Sequence, residues 1–401
     1  MSELRRLPRS LRLLFVGTIV SRLGTFVVPY LTIYLTQTRG FTFAATGRVV
    51  SVGSLGLLVG NLAGGWLADR WSRKGTLLAA LVVNVIGLTG LAGAELTGWA
   101  YAGFLFVALL GAGMYTPAAN TIIADETDEA TRPFAYTVNY VCINVGMGLG
   151  PVLGGLFAAA SYRWLFIGDI ATTVVCFAVL AAGLRLVPPH AGPPPTRGSA
   201  LAVWRNHPAL LAFCAASFFV VAPLMGLEYA VPILVKTEFG APLFFVGLVY
   251  SLNAACILTL SFAVERWVRT RDELAMMAVA GVCWSVGLSV LVLGFSVGAL
   301  LACTVIWTVG EIIASIVVPT YVSKRVPAAA KARMLAATDA ARSLAAVSVP
   351  IALGSLWDAA GVDSVLIALL VLPVVGTAIY LHALHRALRG RTFVQALAAR
   401  S

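Results

Sequence analysis

Eight ionisable residues interrupt long apolar runs in this chain: Arg22, Arg48, Asp69, Asp169, Glu228, Glu311, Asp339 and Arg342. A charge at membrane depth is costly, so each such residue needs a partner, water or a task. Glu311, in Trp307-Thr308-Val309-Gly310-Glu311, is the leading proton-carrier candidate. Reversible protonation works best where the surroundings tolerate a neutral carboxyl. A fixed, hydrogen-bonded structural glutamate is the plain alternative. Glu228, beside Tyr229 and between Pro223 and Pro232, can exchange protons or bind a cationic substrate. It can equally be a solvated carboxylate of an outer vestibule. Asp169, the third proton candidate, follows Arg163 by about one and a half turns, which suits a local ion pair or a helix-end acid. Arg22, in Ser21-Arg22-Leu23-Gly24, cannot lose its proton. It can receive an anionic substrate or hold a neighbouring carboxylate ionised. Arg48 can snorkel outward, and Asp339 and Arg342 are spaced to pair on one helix face. Phe26, Tyr30, Tyr115, Asn144, Asn253 and Trp307 join Arg22, Glu228 and Glu311 as candidates for lining a substrate cavity. Packing or interface anchoring is the bland reading of the aromatic ones.

The elements that must position these residues are membrane helices. Of 401 residues, 60% are hydrophobic and 11% charged, against roughly 45–50% and 25% in soluble domains. Each span takes about 20 apolar residues, so the apolar content suffices for about twelve. Hydropathy places spans near 11–36, 44–69, 75–95, 98–123, 134–160, 164–186, 208–235, 242–264, 273–293, 297–322, 334–356 and 364–386. The stretch 187–206 holds Pro188, Pro189, Pro193, Pro194 and Pro195 and cannot be helical, so it reads as a linker between domains 1–186 and 207–401. One set of span ends carries 22 Lys and Arg, the other only Arg39, Arg163 and Lys236. That asymmetry places the linker and both termini in the cytoplasm of a cell-membrane protein. The basic tail from Arg386 suits the membrane surface.

The halves repeat. Asp69-Arg70-Trp71-Ser72-Arg73 after span 2 is answered by Glu265-Arg266-Trp267-Val268-Arg269 after span 8. Arg132-x-x-Ala135-x-Thr137 is answered by Arg333-x-x-Ala336-x-Thr338. Pro151-Val152-Leu153-Gly154 is answered imperfectly by Pro350-Ile351-Ala352-Leu353-Gly354, with Leu and Gly one residue late. Parallel six-span halves suit an alternating-access carrier better than a scaffold or a membrane enzyme.

Gly65-Trp66-Leu67-Ala68-Asp69-Arg70-Trp71-Ser72-Arg73-Lys74 resembles motif A of the major facilitator superfamily, with Ser72 at the inner Gly position. Ser accepts a tight turn less readily than Gly, so a stiffer loop is expected. Gly146-Met147-Gly148-Leu149-Gly150-Pro151-Val152-Leu153-Gly154-Gly155 resembles motif C of its antiporters, whose small residues let helices approach closely. Ordinary glycine-mediated packing is the alternative. Gly310-Glu311 with Pro319 is compatible with the twelve-span drug:proton antiporter group, although the Arg that group often carries in span 4 is not present. The resemblance covers the chain and implies an all-α membrane protein of twelve transmembrane helices in two six-helix bundles. It also implies a cytoplasmic latch from Asp69, Arg73 and Asp125, with Asp69 facing the start of span 11 and Arg73 pairing with Asp125. A solvated charged turn is the alternative.

Other functions find little support. The formal charge of +11 suits basic span ends, and no base-reading motif accompanies it, so nucleic acid is not an expected partner. No GxxxxGK[ST] loop or catalytic cluster occurs, and no enzyme activity or cofactor is expected. His190, His207, His382 and His385 have no metal-ligand spacing. Cys142, Cys176, Cys214, Cys256, Cys283 and Cys303 sit singly in apolar runs, as small core residues rather than disulfide or zinc ligands. The N-terminal apolar stretch is too long for a signal h-region and reads as a retained span. The expectation is a monomeric secondary transporter in the lipid bilayer, coupling protons to efflux of small amphipathic or drug-like molecules. A nutrient importer or uniporter is the alternative within the class. A transport-inactive sensor or partner-binding protein is the alternative outside it.

Overall fold

The computed structural model describes residues 7–93, 96–128, 131–184, 208–325 and 328–398. Arg5, Arg6 and the proline-rich stretch 187–206 lie outside the described residues, as does the side chain of Asp339. The helices are α1 (Arg9–Leu23), α2 (Val27–Ile33), α3 (Phe43–Arg70), α4 (Arg73–Leu91), α5 (Gly98–Asp125) and α6 (Arg132–Ala160). They continue with α7 (Tyr162–Gly183), α8 (Pro208–Ile233), α9 (Phe244–Val268), α10 (Glu273–Gly294), α11 (Val297–Arg325) and α12 (Ala328–Ala398).

Eleven helical stretches among the described residues are long and apolar enough to cross a membrane. Helices suit that setting because they satisfy their own backbone polar groups. The last stretch, Arg342–Ala387, has 46 residues, about 69 Å at helical rise, or roughly twice the hydrocarbon thickness. Within it Gly361 leaves helical geometry at φ 75° and ψ −176°, a conformation open essentially to glycine. Large apolar side chains point outward, including Leu62, Phe262 and Leu293, as a lipid-facing surface requires.

Short polar residues start several of the helices. Thr42, Ser72, Thr97 and Asp272 accept backbone N–H bonds from Ala45, Gly75, Ala100 and Leu274. Single π-helical turns at Tyr34–Thr38 and Leu234–Glu238 extend α2 and α8. Each turn ends at a left-handed glycine, Gly40 at φ 68° and Gly240 at φ 60°. The two turns lie 200 residues apart and repeat hydrogen bond for hydrogen bond: Phe41 N to Leu35 O and Ala241 N to Val235 O.

The described residues fall into two compact units. The first is drawn from Met1–Pro194, Glu228–Leu258 and Ala346–Ala359. Its core includes Leu11, Leu14, Leu77, Tyr115, Ile123 and Leu180. The second is drawn from Pro195–Leu227, Thr259–Ala345 and Ala360–Ser401. There Phe213 stacks on Tyr321 at 3.7 Å and accepts a hydrogen bond from Tyr380 Oη at 3.0 Å. Lys324 and Arg325 pair with Glu273 at 2.7 and 3.3 Å.

Candidate functional site

The first span is broken where its chemistry lies. Between α1 and α2 the backbone leaves the helix at Gly24-Thr25-Phe26. A Cβ on Gly24 would fall 1.7 Å from Thr172 Oγ1, so only glycine lets this bend press against α7. The break exposes two sets of backbone groups, and each faces a suitable charge. Asp169, 8% exposed, accepts the N–H of Val27 at 3.3 Å, at the positive end of α2. Arg22 sits in the last turn of α1, at its negative end. Asp169 is therefore a helix-end acid, but for the second half of span 1 rather than for its own helix. Among the described residues it has no ion pair with Arg163, which is exposed. Arg22 Nη2 donates to Thr116 Oγ1 at 3.2 Å, and Arg22 Nε is buried without a partner. Beside it Tyr115 Oη and Thr18 Oγ1 lie 3.2 Å apart.

Several cavity candidates are buried against neighbouring groups. Phe26 is buried edge-on against Phe157. Tyr115 is buried in the core of the first unit. Asn144, also buried, donates to Tyr140 O at 2.9 Å on its own helix. Trp307 is buried in the second unit, stacked on Trp284 at 4.8 Å and 18°. Aromatic and amide residues at these positions satisfy local packing before they can serve a ligand. Glu228 is exposed although it lies within α8, and Asn253 and Glu311 are half-buried. A carboxylate exposed in an apolar span needs water rather than lipid.

At the motif resembling motif A, Arg73 Nε lies 2.7 Å from Asp125 Oδ2. Lys74 Nζ donates to Ala181 O at 2.7 Å and also to Leu184 O, covering the C-terminal carbonyls of α7. Ser72 does not stiffen a tight turn: its φ of −171° is extended backbone, and its Oγ accepts Gly75 N at 2.9 Å as the N-cap of α4. Gly65 has open space where a Cβ would stand. Asp69 is exposed, and no ion pair engages it among the described residues. Arg70 lies over the Trp66 ring at 4.9 Å.

The glycines resembling motif C form a seam inside the first unit. A Cβ on Gly146 would lie 2.4 Å from Arg22 Cβ, and one on Gly150 2.6 Å from Leu23 O. Gly154 abuts the Tyr30 ring, while Gly155 abuts Tyr30 Oη and Leu243 O. Tyr30, expected in a cavity, is fully buried here, and its hydroxyl donates to Pro151 O. Ser251 Oγ donates to Gly148 O.

This seam has a second copy. A Cβ on Gly247 would lie 2.5 Å from Pro151 O, and one on Gly47 2.2 Å from Pro350 O. Tyr30 Oη lies 3.5 Å from Leu243 O, and Tyr229 Oη donates to Phe43 O at 2.6 Å. Gly354 abuts Tyr229 Oη and Phe43 O as Gly155 abuts Tyr30 Oη and Leu243 O. Gly354 thus answers Gly155, not Gly154, and Pro to Gly is four residues in both halves. Asp358 fastens the second copy: its Oδ1 and Oδ2 accept the N–H groups of Phe43 and Ala44 at 3.0 and 2.8 Å, at the start of α3. A cavity of about 300 Å³, lined by Gln37, Phe41, Thr42, Thr237 and Asp358, opens at this end.

The family model of the Major Facilitator Superfamily matches residues 14–350. The chain belongs to the Major Facilitator Superfamily. Its proteins are transporters rather than enzymes, and this chain is an integral membrane transporter of that family. An MFS-type transporter of Bacillus subtilis (strain 168), YttB, is 24% identical over 379 residues, covering 93% of this chain and 94% of the relative. A Na(+), Li(+), K(+)/H(+) antiporter of Planococcus maritimus is 30% identical over 177 residues, covering 43% of this chain and 40% of that one. Among solved structures, a bacterial homologue of the human lysosomal transporter Spinster, inward-facing and unoccupied, superposes with a TM-score of 0.77 at 14% identity. That match covers 92% of this chain and 95% of the other.

This Major Facilitator Superfamily member has a doubled glycine seam that its sequence only half announces. Gly47, Gly247, Tyr229 and Asp358 escape a reading based on charge in apolar runs. Only a comparison of the halves at an offset near 200 would have paired Gly47 with Gly247. Among the described residues, no group of three or more His, Cys, Asp or Glu side chains is placed to hold a metal ion.

Proposed function

We propose that this chain is a twelve-crossing secondary transporter that exports small amphipathic or drug-like molecules in exchange for protons by alternating access. The observation that carries this reading is the doubled seam. Two copies of one Gly–Pro contact, each with its own tyrosine hydroxyl, bring backbone against backbone. Such a joint is held by a few bonds and packs without side chains between, so it can part and re-form as a unit. Asp69 of motif A, exposed and without an ion pair among the described residues, supplies the opposite latch when that end closes. The 46-residue stretch Arg342–Ala387, interrupted at Gly361, supplies two crossings. The halves are 1–186 and 207–401, joined by a cytoplasmic linker, with both termini cytoplasmic and the protein monomeric in the bilayer.

Glu311 and Glu228 are the proton carriers in this scheme, since both keep access from the protein's surroundings. Asp169 positions the break in span 1. Exchange for protons is supported by the motif C resemblance and by the antiporter among the relatives. The test is proton flux in proteoliposomes under an imposed pH gradient while dyes and antibiotics are added singly. A compound that collapses the gradient with wild-type protein and not with Glu311→Gln supports the scheme. Compounds that cross without proton movement overturn the coupling and make Glu311 structural.

A further inference from the structure

Arg22 is a charge the coupling scheme leaves unused. Its guanidinium carries five N–H donors and stays charged at any working pH. Among the described residues one acceptor meets it, Thr116 Oγ1 at 3.2 Å, while Nε is buried without one. Among the described residues no carboxylate lies within ion-pair distance of it, and Asp169 is turned to the Val27 N–H. The C-terminal carbonyls of α1 offset part of the charge. The remainder, at membrane depth, calls for an anion or water. The residue as a whole is half-buried, while its Nε is fully buried.

We propose that Arg22 and the Thr116 hydroxyl anchor the carboxylate of an anionic, amphipathic substrate. This deepens the transporter reading and rests on it. The Nε–Nη edge of a guanidinium matches the two oxygens of a carboxylate. Thr116 Oγ1 already accepts from Nη2, so its own proton is available to the same carboxylate. The neighbouring Tyr115–Thr18 hydroxyl pair makes the wall polar on one side. Gly146, with no Cβ, lets Arg22 sit against α6.

The test is thermal stabilisation of the purified full-length protein in detergent at pH 7 and constant ionic strength. The probes are matched acid and amide pairs: benzoate with benzamide, octanoate with octanamide. For at least one pair the acid binds wild-type protein at least about tenfold more tightly than the amide. Arg22→Gln removes that preference. Arg22→Lys, which keeps the charge and loses the fork, retains part of it, and Thr116→Val weakens acid binding about threefold. If no pair shows an acid preference, or if the preference survives Arg22→Gln, the assignment is overturned. A purely structural Arg22 would lower the unliganded melting temperature of Arg22→Gln and leave the acid-to-amide ratio alone. Should Arg22→Gln not fold, Arg22→Lys and Thr116→Val carry the test. No pH gradient enters this measurement. Acid preference without proton movement keeps this assignment and removes the coupling reading; proton movement without acid preference does the reverse.

Discussion

Adding one methyl group at Gly47 and one at Gly247 tests whether the doubled seam is a gate. The new Cβ atoms would stand 2.2 Å from Pro350 O and 2.5 Å from Pro151 O. Both obstacles are backbone carbonyls on helices, which cannot swing aside as a flexible side chain would. Overpacking of this kind costs about 1–3 kcal/mol per site. At about 1.4 kcal/mol per factor of ten, each substitution shifts the balance from closed to parted seam by about 5- to 150-fold. The reporter is Val246, fully buried one residue before Gly247. In protein whose six native cysteines are replaced by alanine, Val246→Cys reacts slowly with a membrane-impermeant maleimide applied from outside. Gly47→Ala or Gly247→Ala accelerates labelling by the same 5- to 150-fold, and the pair together by more. Core melting temperature moves little, because the parted state is itself a folded state. Labelling changed less than twofold by both substitutions, with the protein intact, would refute the gate: the seam would be static packing.

Further outcomes follow from the same geometry. Asp358→Ala removes both acceptors at the start of α3 and weakens the closed seam by about 1–2 kcal/mol, read by the same Val246→Cys labelling; Asp358→Asn recovers part of it. Gly150→Ala, whose Cβ would stand 2.6 Å from Leu23 O, lowers stability by about 1–3 kcal/mol, measured as a fall in melting temperature. Arg73→Met leaves Asp125 without its partner and slows substrate turnover, whereas Arg73→Lys restores part of it in vesicle transport assays.

Much of this molecule could be read along the chain because a bilayer imposes a one-dimensional rule. Every polar backbone group must be satisfied within its own segment, so a run of about 20 apolar residues is already a statement about structure. Glycine and proline in motif C and the charges of motif A were legible for the same reason, since types that are costly in a span stand out. Harder to read were residues whose types are ordinary. Tyr30, Tyr115 and Trp307 belong to types that serve cavities and cores alike, and only the structure shows that all three are buried.

The membrane class, the order of the helices, the internal repeat and the list of residues too costly to be idle can all be read along the chain. Those follow from composition and spacing, which need no partner to be evaluated. Tertiary structure alone decided what each of those residues meets. Asp169 serves the break in span 1 rather than Arg163, and Ser72 caps a helix rather than stiffening a turn. Gly47 meets Pro350, and Asp358 meets Phe43, across more than 300 residues of chain. The reason is range: hydropathy is a sum over neighbours in sequence, whereas a backbone carbonyl 2–3 Å away can belong to any helix that the fold brings alongside.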